Sequence, residues 1–406
     1  MAYISNTTVS QVGLANAALL GTFAPRSQEL VYPKLAMHRV VHRQVEPYTF
    51  LGAPPNLSPY AGTMRSTSAP SFQLNIPNVL FKNWSELNRL DVETDQIGAF
   101  TAYLKGLGII LAQAPDLTLF TALLNGSTAS SATLTSNDGV SYTMTLDGKP
   151  IFSDTHAAGA YGNQSNIVRG NLPATRADFL NYSLNDQAVL AKKLQNDLAL
   201  VIDAFSTFQN TNGQFINPYI DPKDNIVVIA PSFMRPAMRL AFQTPMSVIS
   251  QTTNVSQQFV KDVLCSPFAE KVVDDVAGTT VTPVTQTDYY VAIVNDPLGI
   301  KPFIHQTYAP PGDLTMFGNQ YNPQENIDAA AKASDALGFK LSEGAAAMFA
   351  SASIDHNLNA IGSNAQASVI QREKFDVSAR AYYNVVPGPW YTLIRVTPSN
   401  TSSSST

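Results

Sequence analysis

The segment from Glu93 to Gly126 constrains the fold most, because it is the longest stretch with helical spacing and no turn cluster. Its apolar residues fall on one face of a helix: Ile97, Phe100, Leu104, Leu107, Leu111, Leu117, Phe120, Leu123 and Leu124. Thr94 is a candidate N-cap, and Asn125-Gly126 is a candidate stop. Pro115 is expected to kink or split the helix. A helix of about 50 Å needs a large surface to pack on, which favours a core helix over a cofactor site.

The composition favours a protein that makes large contacts with other proteins. Only 14% of the 406 residues are charged, whereas about one quarter is usual. Uncharged polar surface is cheap to desolvate, so the composition points to extensive assembly. The net charge of −5 argues against a dedicated nucleic-acid binder. Cys265 is the only cysteine, which excludes an intramolecular disulfide and fits a reducing compartment.

Residues 1–35 are weakly patterned and contain one short apolar stretch, Val9 to Leu20, so they form either a loose tail or an arm that packs on something else. No Lys or Arg precedes Arg26, so the basic region of a signal peptide is missing. No run reaches transmembrane length without a polar or helix-breaking residue. We therefore expect a soluble, cytosolic chain with a loose N-terminal arm.

Residues 47–70 are dense in Pro, Gly and Ser and predict a long extended loop, which the alternating strand 71–77 follows. Loops of this length are usually functional or bound to a partner. Just before the loop, His38 and His42 have the i, i+4 spacing of a metal-ligand pair. No third ligand is nearby, so a basic face in contact with solvent or an acidic neighbour is favoured over a metal site.

The remainder of the chain mixes strands and helices. The residues 140–146, VSYTMTL, predict a strand that returns through an Asp147-Gly148 hairpin along 149–152, KPIF. A second helix is predicted from Leu184 to Phe208, and 232–242 is predicted to be a helix that Pro236 interrupts. Further strands are predicted at 225–231, 289–294, 300–307, 374–386 and 391–397, and 259–264 is predicted to be either a strand or a helix.

Catalytic motifs are missing from the sequence. It contains no GxSxG, HExxH, Walker A motif, or GxGxxG followed by a helix. Ser153, Asp154 and His156 could be read as part of a hydrolytic triad, but neighbours in one loop rarely form one, and a local turn is favoured. We predict no enzyme, no catalytic or cofactor-binding residue and no metal ligand.

The order of these elements resembles the HK97-type fold of tailed-phage major capsid proteins, an α+β fold. More narrowly, short motifs resemble the Mu-like major head subunit group. These motifs are DGKPIFSDTHAAG, SNIVRG, NGQFINP, NIVVIAPSFMRPAMRLA, GIKPFIHQTYAPP and the late pair QREKFDVSARAYYNVVPGPWYTLIRV.

The resemblance implies a division of the chain into capsid domains. The implied parts are an N-terminal arm at 1–40, an E-loop region at 41–92, a P domain at 93–170 with its spine helix at 93–126 and a hairpin, a mainly A-domain region at 171–365 with P-domain strands near 300–318, return strands at 366–397, and a disordered tail at 398–406.

The resemblance further implies a structural protein that forms pentamers and hexamers in an icosahedral shell around phage double-stranded DNA. Its partners would be itself, a portal protein, a scaffolding protein, decoration proteins and non-specifically contacted DNA, with no membrane. It would be assembled in the bacterial cytoplasm and reside in the virion. Lys82 and Asn83 lie near the excursion, but nothing in the sequence predicts covalent crosslinking. Two alternatives stay open: an encapsulin-like nanocompartment shell, and a hydrolase that uses Ser153 and His156.

Overall fold

The structure is a computed structural model of the 406-residue chain. It describes Thr22 and residues 30–51, 71–88, 98–128, 133–135, 141–143, 149–157, 162–210, 212–217, 220, 226–242, 259–273, 281–283, 287–294, 301–308, 315–316, 319–320, 353–357 and 374–398. Within these ranges the α-helices are α1 (Tyr32–Leu35), α2 (Ala99–Thr128), α3 (Arg176–Asn185), α4 (Gln187–Thr207) and α5 (Arg235–Phe242). Single 3₁₀ turns lie at Ser232–Met234, Pro267–Glu270 and Trp390–Thr392.

Strands make up most of the remaining regular structure. They are β1 (Ala36–Val41), β2 (Val45–Leu51), β3 (Ser71–Pro77), β4 (Val79–Asn88), β5 (Thr133–Thr135), β6 (Ser141–Thr143), β7 (His156–Ala157), β8 (Asn163–Gln164), β9 (Ile167–Arg169), β10 (Ile226–Pro231), β11 (Val260–Ser266), β12 (Lys271–Val273), β13 (Val281–Pro283), β14 (Tyr289–Ile293), β15 (Phe303–Tyr308), β16 (Thr315–Met316), β17 (Asn319–Gln320), β18 (Ser353–Asn357), β19 (Lys374–Pro387) and β20 (Leu393–Thr397).

The first sheet is built around the long strand β19. Strand β15 pairs with it in antiparallel fashion and carries β1 in parallel on its other edge, while β18 and β4 also pair with β19. Tyr383 pairs with both Thr307 and Val79, so β15 and β4 flank β19 on opposite sides. One face of this sheet packs against α2, through Leu104, Leu107, Leu119 and Phe120 on the helix and Phe303, Tyr383 and Val385 on the sheet.

The opposite face of the first sheet is covered by the hairpin of β2 and β3. These strands pair in antiparallel register from Val45↔Pro77 to Leu51↔Ser71. Leu74 and Ile76 of the hairpin pack against Ile304 and Val386 of the sheet. The alternation of side chains along β15 therefore sends odd-numbered residues towards α2 and even-numbered residues towards the hairpin.

The second sheet has the strand order β11-β10-β14-β20-β9, parallel at both edges and antiparallel in the middle. Alternate residues of β10 belong to two different cores. Val227 and Ile229 share a core with α2, whereas Ile226 and Val228 share a core with α4 and α5. A strand covered on both faces must be apolar at every position, which explains the continuous run NIVVIAP.

The chain crosses from the first sheet to the second between β19 and β20. At this crossing the amide of Gly388 donates to the carbonyl of Pro302 at 2.7 Å. A Cβ at position 388 would lie 2.7 Å from the carbonyl oxygen of Lys301, so only glycine fits there without a backbone shift. The two sheets are thus joined by a short segment packed tightly onto the start of β15.

Three predictions about α2 need correction or comment. Pro115 was predicted to kink or split the helix; the helix is continuous across it, which rules out the split, and it ends at Thr128 rather than at Gly126. Proline removes one backbone hydrogen bond, and the burial of Pro115 and of the turns on both sides of it compensates for that loss. Helix ends commonly differ by one or two residues. Thr94, the predicted N-cap, lies outside the described residues.

Other local predictions were wrong for identifiable reasons. Residues 149–152 form bends rather than a return strand, because Ile151 and Phe152 are drawn into the core with α2; the described partner of β6 is β5. The helix predicted from Leu184 to Phe208 is two helices, which the non-helical backbone of Asp186 separates (φ −150°, ψ 57°). Pro236 lies in the first turn of α5, where proline is tolerated, and does not interrupt it.

Helix α2 contains the stretch Thr101–Leu124, which is long and apolar enough to cross a membrane. Most of it, 61% of the most apolar window, is buried within the protein, as expected for a core helix. Its hydrophobicity is therefore explained by its contacts with the first sheet.

Candidate functional site

Two buried amide side chains fix the base of the β2–β3 hairpin to the first sheet. Gln306 is fully buried on β15; its Nε2 donates to the carbonyl of Ile76 at 3.0 Å, and its Oε1 accepts from the hydroxyl of Tyr48 at 3.1 Å. On β19, the Nδ2 of Asn384 donates to the carbonyl of Pro77 at 2.7 Å. Both side chains form hydrogen bonds to the hairpin in a buried region, and these bonds fix the position of the hairpin relative to the sheet.

Replacing Gln306 by leucine is expected to loosen the hairpin and to destabilise the protein by about 2 kcal/mol, since a buried carbonyl and hydroxyl lose a partner. Amide hydrogen exchange of β2 and β3 should accelerate relative to wild type. The matched control is Gln73→Leu, because Gln73 is exposed on β3. Equal exchange in the two variants would contradict the role assigned to Gln306.

A buried carboxylate anchors the segment that leads into β1. Asp116 is 2% exposed; its oxygens accept from the amide of Val31 at 2.9 and 3.1 Å and from the amide of Tyr32 at 2.7 Å. These are the free amides at the start of α1, so Asp116 caps this short helix from 84 residues away. Burial raises the pKa of Asp116 to about 6, although the two backbone amides oppose that rise.

The next contact of the same segment is a pair of imidazoles. His38 on β1 and His305 on β15 are register partners, and their Nδ1 atoms are 2.9 Å apart. One Nδ1 must donate and the other accept, so at least the accepting ring is neutral. Burial lowers the pKa of His38 to about 4 and that of His305 well below its ordinary value, with His38 also disfavouring a charge on His305.

Asn166 joins the segment 151–155 to the end of the chain. It is fully buried, and its Oδ1 accepts from the amide of Ser153 at 2.9 Å. Its Nδ2 donates to the carbonyls of Ile151 at 2.7 Å, Leu393 at 3.2 Å and Trp390 at 3.3 Å. One side chain therefore satisfies backbone groups from two distant parts of the sequence, 151–153 and 390–393.

A second buried carboxylate organises the turn between β9 and α3. The Oδ1 of Asp197 accepts from the backbone amide of Asn171 at 2.8 Å and from its Nδ2 at 2.6 Å. A Cβ at Gly170 would lie 2.5 Å from the Oδ2 of Asp197, so the glycine is needed for this close approach. Burial raises the pKa of Asp197 to about 6, against the two hydrogen bonds from Asn171.

The structure gives the loop of Ser153, Asp154 and His156 structural partners. The ring of His156 is fully buried and stacks on Trp390, with centroids 4.5 Å apart and planes 3° from parallel. Its Nε2 donates to the carbonyl of Ile151 at 3.2 Å. Asp154 accepts from the hydroxyl of Ser165 at 2.6 Å, and the Oγ of Ser153 bonds to that of Thr155 at 3.0 Å. A His156 whose Nε2 donates to a carbonyl cannot use that nitrogen as a base towards Ser153.

The other residues singled out in the sequence are separated. His38 is in β1 with its bond to His305, whereas His42 is exposed in the turn after that strand. In the described residues no group of three or more His, Cys, Asp or Glu side chains could hold a metal ion. Lys82 and Asn83 lie in β4, opposite Arg380 and Ala379 of β19.

Sequence reasoning missed the residues that position these elements. Asp116 and Asn384 are single polar residues among apolar neighbours, and that isolation was the available signal for them, whereas Gln306 and Asn166 stand beside other polar residues and gave no such signal. A buried polar residue requires a partner, but its partner lies between 13 and 307 residues away. The signal could mark these positions, but it could not identify what they contact.

Residues 22–182 match the family model described as the Mu-like prophage major head subunit gpT. This segment contains the hairpin, α2, Asp116, Asn166 and the loop with His156. Over these residues the chain resembles the Mu-like head subunit group, as the sequence motifs predicted. A comparison of the sequence with curated proteins gives no significant match.

Several solved phage capsids resemble the overall structure at low sequence identity. The bacteriophage JBD30 capsid aligns with a TM-score of 0.39 and 10% identity over 90% of this chain, which spans 64% of that capsid chain. The capsid of cyanophage P-SCSP1u aligns with a TM-score of 0.49 and 10% identity over 92% of this chain and 89% of that one. For the mature capsid of bacteriophage PhiM1 the TM-score is 0.46, with 9% identity over 91% and 87% of the two chains. Likenesses this distant carry no argument about function.

Proposed function

We infer that this chain is a tailed-phage major head subunit of the Mu-like type, and the single observation that carries the inference is the family match over residues 22–182. The predicted α+β architecture, with the long α2 packed on a sheet next to an extended hairpin, agrees with it. The function of such a subunit is to assemble with copies of itself into the icosahedral shell of the virion.

In this proposal the described elements take the roles of capsid domains. The first sheet and α2 form the P domain with α2 as its spine helix, the second sheet with α3, α4 and α5 forms the A domain, and the β2–β3 hairpin is the base of the E-loop. The hydrogen bonds from Gln306 and Asn384 support the E-loop assignment, because they fix the base of the hairpin while residues 52–70 continue beyond it. A rigid base would present the rest of the loop to a neighbouring subunit.

The partners follow from this role. Copies of the chain would form pentamers and hexamers, and the shell would hold double-stranded DNA through non-specific contacts. A portal protein, a scaffolding protein and decoration proteins would bind the same subunit. The net charge of −5 suits a container that does not adhere tightly to its DNA. We propose no enzymatic activity.

Negative-stain electron microscopy of the expressed protein tests the proposal. Uniform polyhedral particles or rings of five and six subunits are expected. Nucleic acid co-purifying with particles made in the presence of the packaging proteins would distinguish a phage head from a protein-filled nanocompartment. A purified chain that stays monomeric over a range of salt and protein concentrations would overturn the proposed function.

Ser153→Ala is expected to leave particle yield and stability within about 0.5 kcal/mol of wild type, because its hydroxyl bonds only to exposed neighbours. His156→Ala should instead lower stability by about 3 kcal/mol, since it removes a buried stacked ring. Thermal unfolding of both variants is the measurement. A hydrolytic activity lost in both variants would favour the hydrolase reading.

A further inference from the structure

Three lysines from distant parts of the sequence meet beside strand β11. Lys34, in α1, forms an ion pair with Asp262 on β11. The Nζ of Lys301 donates to the carbonyl of Pro33 at 3.0 Å, which brings it to the same short helix. Lys261 precedes Asp262 on β11 and is exposed. Burial and the charge of Lys261 lower the pKa of Lys301, so these two ammonium groups lie near each other.

A fourth cation extends this surface along the strand. Arg235, at the start of α5, is exposed, and its Nη2 donates to the carbonyl of Cys265 at 2.8 Å. Cys265 lies four residues after Lys261, a distance of about 13 Å along a β-strand. We call the surface of Lys34, Lys261, Lys301 and Arg235 the basic patch.

The basic patch carries more positive charge than its carboxylate contacts balance. Within the described part of the chain, Asp262 is the one carboxylate that forms an ion pair with any of its four cations. The chain as a whole has a net charge of −5, so the patch is opposite in sign to the molecule that carries it. Like charges held near each other are unfavourable, and a bound anion would relieve that repulsion.

Protection of an edge strand does not explain the whole patch. Strand β11 is at the end of the described strand order of the second sheet, and a lysine at such an edge opposes pairing with another strand. Lys261 alone is sufficient for that role. Lys34 and Lys301 belong to other parts of the chain, yet the fold brings both of them to β11.

The composition of the patch favours a polyanion that is bound by charge alone. Among the described residues, the exposed large apolar side chains lie in β2, α2, α3, α4 and the turn after α4, and none lies in the basic patch. A protein partner usually binds through a buried aromatic or apolar anchor. The phosphates of double-stranded DNA require only cations, and lysine contacts a phosphate as a point charge.

We propose that the basic patch contacts the phosphate backbone of packaged double-stranded DNA irrespective of its sequence, and therefore faces the interior of the shell. This inference rests on the proposed function as a head subunit. Four cations on a chain of net negative charge give a weak contact that salt disrupts, which agrees with a container that does not adhere tightly to its DNA.

Duplex binding by dilute unassembled subunits tests the patch without assembly. The anisotropy of a short fluorescent DNA duplex, measured over a range of salt concentrations, gives the affinity and its salt dependence. Lys261→Gln should weaken binding about eightfold at about 0.1 M salt and reduce the slope against salt by about 0.9, the value for one phosphate contact. The matched control is Lys192→Gln, because Lys192 is an exposed lysine on α4. Equal losses in the two variants would overturn the proposal.

Labelling of particles without DNA tests the inward orientation. In a Cys265→Ser chain, Lys261→Cys should react with a small maleimide but not with a maleimide on a polymer too large to cross the shell. Unassembled subunits should react with both reagents. Particles that react with both would place the patch outside, and particles that react with neither would place it in a subunit interface; either result would overturn the proposal.

Assembly of Lys261→Gln separates DNA from an acidic protein partner. Particle yield equal to wild type is expected, because the described contacts of Lys261 include no hydrogen bond or ion pair. Lost assembly with unchanged duplex binding would assign the patch to an acidic surface of another protein and overturn the proposal. A wild-type chain that forms no particles would instead overturn the proposed function, and the duplex measurement distinguishes that failure from a failure of the patch.

Discussion

Replacing Asn166 by alanine is expected to lower the free energy of unfolding by about 3–5 kcal/mol, since each buried backbone group left without a partner costs about 1–3 kcal/mol. The variant removes the partner of the Ser153 amide and a partner of the buried Leu393 carbonyl, whereas the carbonyl of Ile151 keeps its hydrogen bond from His156. A loss of this size is comparable to the whole stability of many domains. Little folded subunit should therefore accumulate, and particle yield should fall with it.

The matched control is Asn163→Ala. Asn163 is exposed on β8, three residues before Asn166, so its substitution should change stability by less than about 0.5 kcal/mol. Urea denaturation of unassembled subunits measures both variants. A loss below 1 kcal/mol for Asn166→Ala would show that Asn166 does not hold the last strands in place, whatever the shell does.

The contrast between the predicted and missed strands has a physical cause. Strand β10 is apolar throughout because two cores cover it, and β19 carries a regular alternation, so both were predicted from the sequence. Strand β4 was missed, because VLFKNWSELN mixes charged and apolar residues without a clear period. Its strand conformation is determined instead by pairing with ten residues of β19. A pairing between residues 79 and 383 cannot be recognised from the local sequence.

Helix α2 shows the same limit for side chains. Its apolar stripe predicted a helix, and packing on both sides of Pro115 keeps it continuous where local rules predicted a kink or a split. Asp116 looked like an ordinary polar residue of the second half. Its function as a cap for Val31 and Tyr32 depends on the N-terminal segment crossing α2 at that point, which only the fold brings about.

A fall in pH is expected to act on the segment 30–41 through two kinds of group with opposite effects on stability, the two histidines and Asp116. His38 has a pKa of about 4 in the folded protein and 6.5 as its ordinary value, so the unfolded chain binds the extra proton between these values. Stability is therefore lost as pH falls from 6.5 to 4, by about 3 kcal/mol from this group. His305, whose pKa is also lowered, adds a loss in the same direction.

Asp116 opposes this acid loss. Its pKa is about 6 when folded and 3.8 as its ordinary value, so the folded chain holds the extra proton and gains about 3 kcal/mol as pH falls from 6 to 4. Asp116→Asn removes that gain while keeping Oδ1, the oxygen that accepts from the amides of Val31 and Tyr32. The difference between this variant and wild type should therefore grow by about 3 kcal/mol between pH 6 and pH 4, with the variant becoming less stable.

The double variant His38→Gln, His305→Gln should give the opposite difference, because it removes the two groups that resist protonation and leaves Asp116 in place. Relative to wild type, it should become more stable as pH falls from 6.5 to 4, by at least about 3 kcal/mol. Glutamine keeps a polar side chain at each position, so the comparison concerns titration rather than volume. Urea denaturation across this pH range measures both differences, and comparing each variant with wild type cancels the other titrating groups, Asp197 among them. Parallel stability curves for all three proteins would show that neither the histidine pair nor Asp116 controls how firmly β1 is held.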